Sequence, residues 1–348
     1  MLRIGFDSSP LLPGHPPGVQ RVVERSLEAL EQRGRIEVVR LTPDSPDGLR
    51  SWRQRELPRT VRGRELVGIH SFVSALAWRG PGHRVQTLHE APWRHGVQEN
   101  ADLRHRFWAW AGARRASAVI TPTAATARDL GLTSGRLARR THVIPWGVGL
   151  PFEGEAPPNS MDEILLGKYH LPDRPLLLCP GAVRAKKNLR ATLEGLAHLK
   201  QSGSLPVQLV VTGPDTPDLR TSLGLVQRLG LTRHVSTPGE ISDADLAGLM
   251  RLSCAVSVLS TSEGFGLPVL EAMACGTPAI VPAGGALEEV AGAHAIVVDP
   301  TEASSVGQGI VQALDTREEL RTTLTERASR FTWEDTAQSI EQVWEGLA

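Results

Sequence analysis

The chain has 348 residues, 41% of them apolar, and its 38 basic and 38 acidic residues cancel to a formal net charge of zero. That length predicts roughly two domains, and the apolar share excludes a disordered chain. No run of about 18 apolar residues occurs, so no transmembrane helix is expected, and the three cysteines (Cys179, Cys254, Cys275) lack CxxC spacing, which argues against a zinc site or disulfide framework.

The zero balance hides an asymmetry. Residues 1–150 hold 23 Arg, no Lys and 13 acidic residues, a balance of +10, and residues 151–348 carry −10. A basic half suits an anionic partner, such as a membrane surface or a phosphate-bearing acceptor. A solvated Arg-rich surface is the alternative. No recognition motif accompanies the charge, so nucleic acid is not expected. The first residues read as a strand and not as a signal peptide. The expected setting is cytoplasmic, with peripheral contact at the inner face of a membrane.

In chain order, residues 3–7 read as a first strand and 8–18 as a Pro- and Gly-rich loop. Val19, Val22, Val23, Leu27 and Leu30 have helical spacing, so a helix is expected to start just after Gly18. There is no G-x-G-x-x-G here, so the dinucleotide fingerprint is absent. Residues 36–41 form the next expected strand, and 42–64 are polar and poorly periodic, a weak helix at best. Short strands follow at 66–69, ending at His70, and at 85–88, ending at His89 and Glu90. A His at the carboxyl end of a parallel strand faces the ligand crevice, although a packed His is the commoner case. A helix is expected at about 100–116, a strand at 118–121, a short helix at 124–130 and a strand at 141–145.

Residues 150–172 turn Pro-, Gly- and acid-rich and read as an interdomain linker. Strand–helix alternation is clearer beyond it. Strands are expected at 176–179, 207–212, 234–236, 255–259, 279–281 and 295–298, with helices between them and from about 302 to the end. Alternation in both halves predicts two doubly wound α/β domains.

Two loops in the second half carry chemistry. Gly181-Ala-Val-Arg-Ala-Lys-Lys-Asn188 follows a strand and opens a helix. Arg184, Lys186 and Lys187 there would complement a diphosphate, and Asn188 could cap the helix. The second loop is Glu263-Gly-Phe-Gly-Leu-Pro-Val-Leu-Glu271, again between strand and helix. Gly264 and Gly266 let backbone approach a ligand, and helical amides suit an anion. Two solvated glutamates in a structural turn is the competing reading. Asp243-Ala-Asp245 has the spacing of a metal-binding pair but sits at a helix start and reads as a cap.

These residues resemble the GT4 family of retaining, nucleotide-sugar-dependent glycosyltransferases. Glu263 and Glu271 resemble its E-x7-E motif, within the string E-G-F-G-L-P-V-L-E-A-M-A-C-G-T-P. Residues 181–188 resemble its G-x5-K-N phosphate loop, Val143-Ile-Pro-Trp-Gly-Val148 the stretch before the linker, and Arg330-Phe-Thr-Trp333 the start of the terminal helices. The resemblance implies the GT-B fold, two facing Rossmann-like domains with a cleft between them. The expected bounds are 1–150 on the acceptor side, a linker at 151–172, a nucleotide-sugar-binding domain at 173–330, and a terminal segment at 331–348 that packs back on the first domain.

The resemblance also implies roles. Glu271 would hold ribose hydroxyls and Glu263 sugar hydroxyls near the reacting carbon. Gly264, Phe265, Gly266 and Leu267 would present amides to sugar and phosphate. Lys187 would neutralise the leaving diphosphate. His89 would touch the sugar, Gly18 would lie by the phosphate, and the backbone from Gly239 to Ile241 would meet the base. Ala182 stands where the family often has Arg, so Arg184 or Lys186 would take that place. His89-Glu90 replaces the usual His-Asp, and Gly147-Val148-Gly149 the usual Gly-Val-Asp.

The implied reaction is retaining, metal-independent transfer of a hexose from a nucleotide-diphosphate sugar to a glycan, lipid-linked or small-molecule acceptor, with no further cofactor. GDP-mannose is the first expectation for the donor and a UDP-sugar the second. The alternatives are an epimerase or phosphorylase of the same fold, or a non-catalytic nucleotide-sugar-binding protein.

Overall fold

Among the described residues, twelve short strands make two separate six-stranded parallel sheets. In this computed structural model the described residues are 1–97, 102–153, 160–203 and 205–348. By internal contacts they divide into one unit of Met1–Gly147 with Phe331–Ala348 and a second of Val148–Arg330.

In the first unit the strands are β1 (Leu2–Asp7), β2 (Ile36–Leu41), β3 (Gly68–Ser71), β4 (His83–Thr87), β5 (Ala118–Thr121) and β6 (Thr141–Val143), in the spatial order β2-β1-β3-β4-β5-β6. Every residue of β3 and β5 is buried. Such runs belong to strands covered on both faces, which is why they read as apolar blocks and not as alternation.

The first helix, Pro17–Arg33, begins earlier than its apolar spacing suggested. Pro17 supplies a preset φ where its missing N–H costs nothing. Gly18 is therefore inside the first helical turn and not in the loop before it. The stretch 42–64 is also more ordered than its polarity suggested. Leu49–Ser51, Trp52–Glu56 and Leu57–Thr60 form one continuous helical run whose middle is π-helical. Tertiary contacts hold it: Trp52, Leu57 and Val61 enter a core with Leu41, Leu66 and Ile69. Arg53 is buried with Asp7, Nε to Oδ2 at 2.6 Å, and also bonds the Ser9 hydroxyl. A buried guanidinium needs such a partner, so this ion pair ties the helical run to the end of β1.

The last helix, Trp333–Glu345, belongs to this unit. Arg33 donates to Glu334 (3.0 Å) and Glu341 (2.9 Å), and the Thr336 hydroxyl donates to the Pro145 carbonyl (2.8 Å). Trp344 is fully buried, and a Cβ at Gly68 would lie 2.8 Å from its ring. A side chain at Gly68 would displace it.

In the second unit the strands are β7 (Leu176–Cys179), β8 (Gln208–Thr212), β9 (Val235–Gly239), β10 (Ser253–Ser257), β11 (Ala279–Pro282) and β12 (Ile296–Val298), in the order β12-β11-β10-β7-β8-β9. The order reverses between β7 and β10, which are direct neighbours. Both units are doubly wound parallel α/β units, the class expected from the alternation.

The segment expected to be a linker instead carries a helix, Ser160–Lys168. It packs on the helix Asp243–Leu252. A Cβ at Gly248 would meet Leu165 at 2.4 Å, and Lys168 and Tyr169 both donate to Asp245. Residues 154–159, and the expected helix start at 100–101, lie outside the described residues; the helix is seen over Leu103–Arg115. No helix among the described residues is long and apolar enough to cross a membrane.

Candidate functional site

All six strands of the second sheet run parallel, so their carboxyl ends share one edge. A ligand crevice forms at that edge where the strand order reverses. Here the reversal lies between β7 and β10, and the two loops that leave these strands are the two chemistry-bearing loops of the sequence.

The loop after β7 turns through a single 3-10 turn, Ala185–Lys187, and Asn188 then adopts φ 50°, ψ 42°. Asn tolerates this left-handed conformation better than most residues. Its side chain makes no capping bond to the helix Leu189–Gln201, contrary to expectation; the residue acts as a pivot and not as a cap. The turn aims Lys187 across the edge. Its Nζ donates to Glu263 Oε1 at 2.6 Å, joining residues 76 apart in sequence. A backbone bond runs beside it, from the Thr261 N–H to the Lys186 carbonyl at 2.8 Å. The Thr261 hydroxyl donates to the same carbonyl at 3.3 Å, and no local sequence pattern signals either bond.

Neither glutamate is a solvated surface group. Glu271 is 4% exposed, and the Glu263 side chain is 14% exposed. Burial alone would raise the Glu263 carboxyl. The charges of Lys187 and Lys186 outweigh that and hold it below its ordinary value. Glu263 is therefore an anion at neutral pH, and Lys186 is its second cation. Arg184 opens the same turn, its carbonyl accepting from the Lys187 N–H at 2.8 Å.

Gly264, Phe265 and Gly266 are buried and lead into the helix Leu267–Ala274. Gly266 caps it with φ 96°, and a Cβ there would lie 2.3 Å from the Leu287 side chain. Both constraints select glycine. Leu267 and Pro268 start the helix, whose positive end faces the same edge. Glu271 follows one turn further in. A concavity at the edge is lined by Cys179, Gly181, Ala182, Val183, Lys187, Ser260 and Pro268. Burial pushes the Cys179 thiol up to about 12, so it is an uncharged wall and not a nucleophile.

The neighbouring strands complete the edge. Gly213, after β8, has φ 119°, and a Cβ there would lie 2.7 Å from the Gly181 backbone. Its N–H donates to the Gly239 carbonyl at 2.8 Å. Gly239, at the end of β9 with φ 85°, and Ile241 beyond it thus sit two strands from Lys187. Support comes from behind. The Thr216 hydroxyl donates to the Val183 carbonyl (2.7 Å), and Asp218 accepts from the Ala185 N–H (2.9 Å). The Thr-Pro-Asp sequence at this helix start could have flagged both, since Thr216 is also its N-cap. At the next helix Ser242 is the cap, not Asp243 or Asp245.

In the first unit, His89 follows β4. Its Nε2 lies 2.8 Å from the Phe72 carbonyl, so Nε2 carries the proton and Nδ1 is the acceptor. Burial lowers its pKa, partly opposed by that carbonyl, so the ring is neutral at pH 7. Its centroid lies 5.8 Å from that of Trp146. Gly18 is exposed on the first turn of the opening helix, in the same unit.

Several known proteins are similar to this chain. O-antigen chain mannosyltransferase B of Escherichia coli is 31% identical over 189 residues, which are 53% of this chain and 50% of that protein. MMP alpha-(1->4)-mannosyltransferase of Mycolicibacterium hassiacum is 29% identical over 251 residues, 67% and 55% of the respective chains. The chain thus spans about half the length of these curated relatives. Sucrose-phosphate synthase of Thermosynechococcus elongatus superposes with a TM-score of 0.79 at 22% identity, covering 100% of this chain and 99% of that one. Anabaena HepE, solved in complex with UDP and glucose, superposes with a TM-score of 0.77 at 19% identity, covering 100% of both chains. These likenesses establish a shared fold. The family model described as Glycosyl transferases group 1 matches residues 164–331, the span that holds both loops. With its two Rossmann-like units and the Lys187–Glu263 edge inside the matched span, the chain is similar to the group 1 glycosyltransferases, the GT4-type family that its motifs resemble.

Proposed function

We propose that this chain transfers a hexose from a nucleoside-diphosphate sugar to an acceptor hydroxyl, with retention of the anomeric configuration and without a metal ion. One observation carries the reading: the 2.6 Å ion pair that Lys187 and Glu263 form across the reversal of strand order. A phosphate-suited cation and a hydroxyl-suited carboxylate meet where such sheets bind ligands.

Donor cleavage builds negative charge on the departing diphosphate. Lys187, Lys186, Arg184 and the positive end of the helix Leu267–Ala274 are the groups that would stabilise it. Glu263 would fix sugar hydroxyls beside the anomeric carbon, and Glu271 the ribose hydroxyls. In front-face attack the bond from the anomeric carbon to the diphosphate oxygen breaks, and the acceptor oxygen bonds on the same face. The hydroxyl proton passes to the departing phosphate. In the first unit neutral His89, with Nε2 held by the Phe72 carbonyl, would use Nδ1 to accept from a sugar hydroxyl.

The mannosyltransferase relatives support GDP-mannose as the first donor to test. The UDP complexes of HepE favour a UDP-sugar as the second. A thermal-shift panel of UDP, GDP, ADP and TDP decides between them, because a ligand bound only by the native state raises its melting temperature. Glu263→Ala is expected to slow nucleotide release from the matching donor by about 10²–10³-fold with the circular dichroism spectrum unchanged. Near-wild-type release in that variant, or no shift with any nucleotide, would end this reading.

A further inference from the structure

The helix Leu103–Arg115 in the first unit is built inside out. Its inner face is small, with Ala109, Ala111, Gly112 and Ala113 buried, and a Cβ at Gly112 would meet Gln86 at 2.5 Å. Apart from Trp108, which packs on Trp78 with ring centroids 4.8 Å apart, its bulk points outward. Leu103 is 79% exposed, Phe107 49% and Trp110 53%. These three lie four and three residues apart and therefore share one stripe of the helix. Single exposed apolar residues are ordinary, but a contiguous aromatic stripe marks an interaction surface.

The charge on the same helix is one-sided. Arg104, Arg106, Arg114 and Arg115 are exposed, and positions 103–115 contain no acidic residue. Arg114 stacks its guanidinium 4.2 Å above the Trp110 ring, whose centroid is 6.3 Å from that of Phe107. Aromatic rings interleaved with arginines on an exposed helix face fit the boundary between lipid headgroups and acyl chains: rings enter the interface while guanidinium groups meet phosphates.

We propose that this helix face docks the protein on an anionic phospholipid surface, with Leu103, Phe107 and Trp110 inserted at headgroup depth and Arg104, Arg106 and Arg114 paired with lipid phosphates. Charge complementarity selects the occupant: the helix is purely basic, within a half of the chain whose balance is +10. The proposal stands without the donor chemistry, since its residues lie outside the Lys187–Glu263 edge.

The test is flotation of the full chain with two kinds of vesicle, phosphatidylcholine alone and phosphatidylcholine with about 30% phosphatidylglycerol. The wild-type protein is expected to float with the anionic vesicles only, and to be released by about 0.5 M salt. Replacing Arg104, Arg106 and Arg114 by Gln removes three surface cations and is expected to weaken binding about a hundredfold, at about fivefold for each. Phe107→Ser with Trp110→Ser is expected to weaken it about tenfold or more, while Trp110→Phe retains it. The arginines are exposed, so an unchanged melting temperature is expected for the Gln variant. Phe107 packs edge-on against Trp78 and Trp108, so the Ser variant is expected to melt a few degrees lower and is compared at a temperature where both proteins are folded.

Absence of wild-type flotation, equal flotation with neutral vesicles, or indifference to both sets of substitutions would overturn the proposal. Tighter binding to a single-stranded oligonucleotide at the same ionic strength, or a dimer that the Ser variants dissociate, would assign the face to another partner and equally overturn it.

Discussion

Lys187→Ala tests the central pair most directly. Coulomb's law gives about 6 kcal/mol of gross attraction at 2.6 Å with an effective dielectric constant of about 20. Desolvation of the largely buried carboxylate cancels most of it. The Glu263 and Lys187 side chains are 14% and 27% exposed, so the net coupling lies between that of an exposed pair and a wholly buried one, at about 1–2 kcal/mol. A double-mutant cycle of Lys187→Ala, Glu263→Gln and both together, followed by urea denaturation at pH 7, measures it. The single Lys187→Ala change is expected to lower the melting temperature by about 3–6 °C. The pH dependence has a definite sign. The Glu263 carboxyl is depressed in the folded state, so its contribution is present above the ordinary carboxylate value and lost as pH falls through the lowered one. The difference between wild type and Lys187→Ala should therefore shrink on acidification below about pH 4. Additive single changes, or a difference that grows in acid, would refute the ion pair.

Two further outcomes follow from backbone and burial. Gly213→Ala requires an L side chain at φ 119° with its Cβ 2.7 Å from the Gly181 backbone, which cannot move aside as a side-chain tip could. It is expected to destabilise by about 2–4 kcal/mol and to weaken nucleotide binding together with stability, measured by urea titration and thermal shift. His70 is fully buried between Phe6 and Phe72 with its Nε2 2.8 Å from the Thr87 hydroxyl, and burial, aided by His89, lowers its pKa to about 3. A His held neutral in the fold favours the unfolded state as pH falls below its ordinary value. Wild-type stability should fall by up to about 1.4 kcal/mol per pH unit below pH 6.5, and His70→Asn should flatten that slope in urea titrations at pH 7, 6 and 5.

The class of fold and the two loops were legible because both rest on local patterns. Buried parallel strands read as apolar blocks, as in Leu176–Cys179 and Ala118–Thr121. Glycines before Pro268 and Lys-Asn after a strand mark loops whose backbone is constrained by residue type. What escaped depends on contacts distant in sequence. The helical run at Leu49–Thr60 is held by Arg53 reaching Asp7, and nothing in a window around Arg53 announces it. The helix Ser160–Lys168 exists in a stretch with linker composition because Leu165 finds a slot at Gly248. Asn188 looked like a cap because Asn is common there; its φ of 50° shows the other use of the same residue. Thr261 acts through its amide and its hydroxyl on a carbonyl 75 residues away, a pairing that no local pattern encodes. Both glutamates were visible, but their burial was not.

The place of Trp333–Glu345 has a consequence for how the protein is made. The first unit is closed by residues that follow the whole of the second, so in sequence Val148–Arg330 is an insertion within it. A ribosome releases residues 1–147 long before Trp344 exists, and until then the slot beside Gly68 and His70 lies open to water. The inserted unit is contiguous and can complete its core first, while the unit whose sequence begins earlier finishes last. The two covalent crossings, at 147–148 and 330–331, make excision asymmetric. The inserted unit can be cut out whole, but a fragment ending at Gly147 lacks the tryptophan that seals its own sheet.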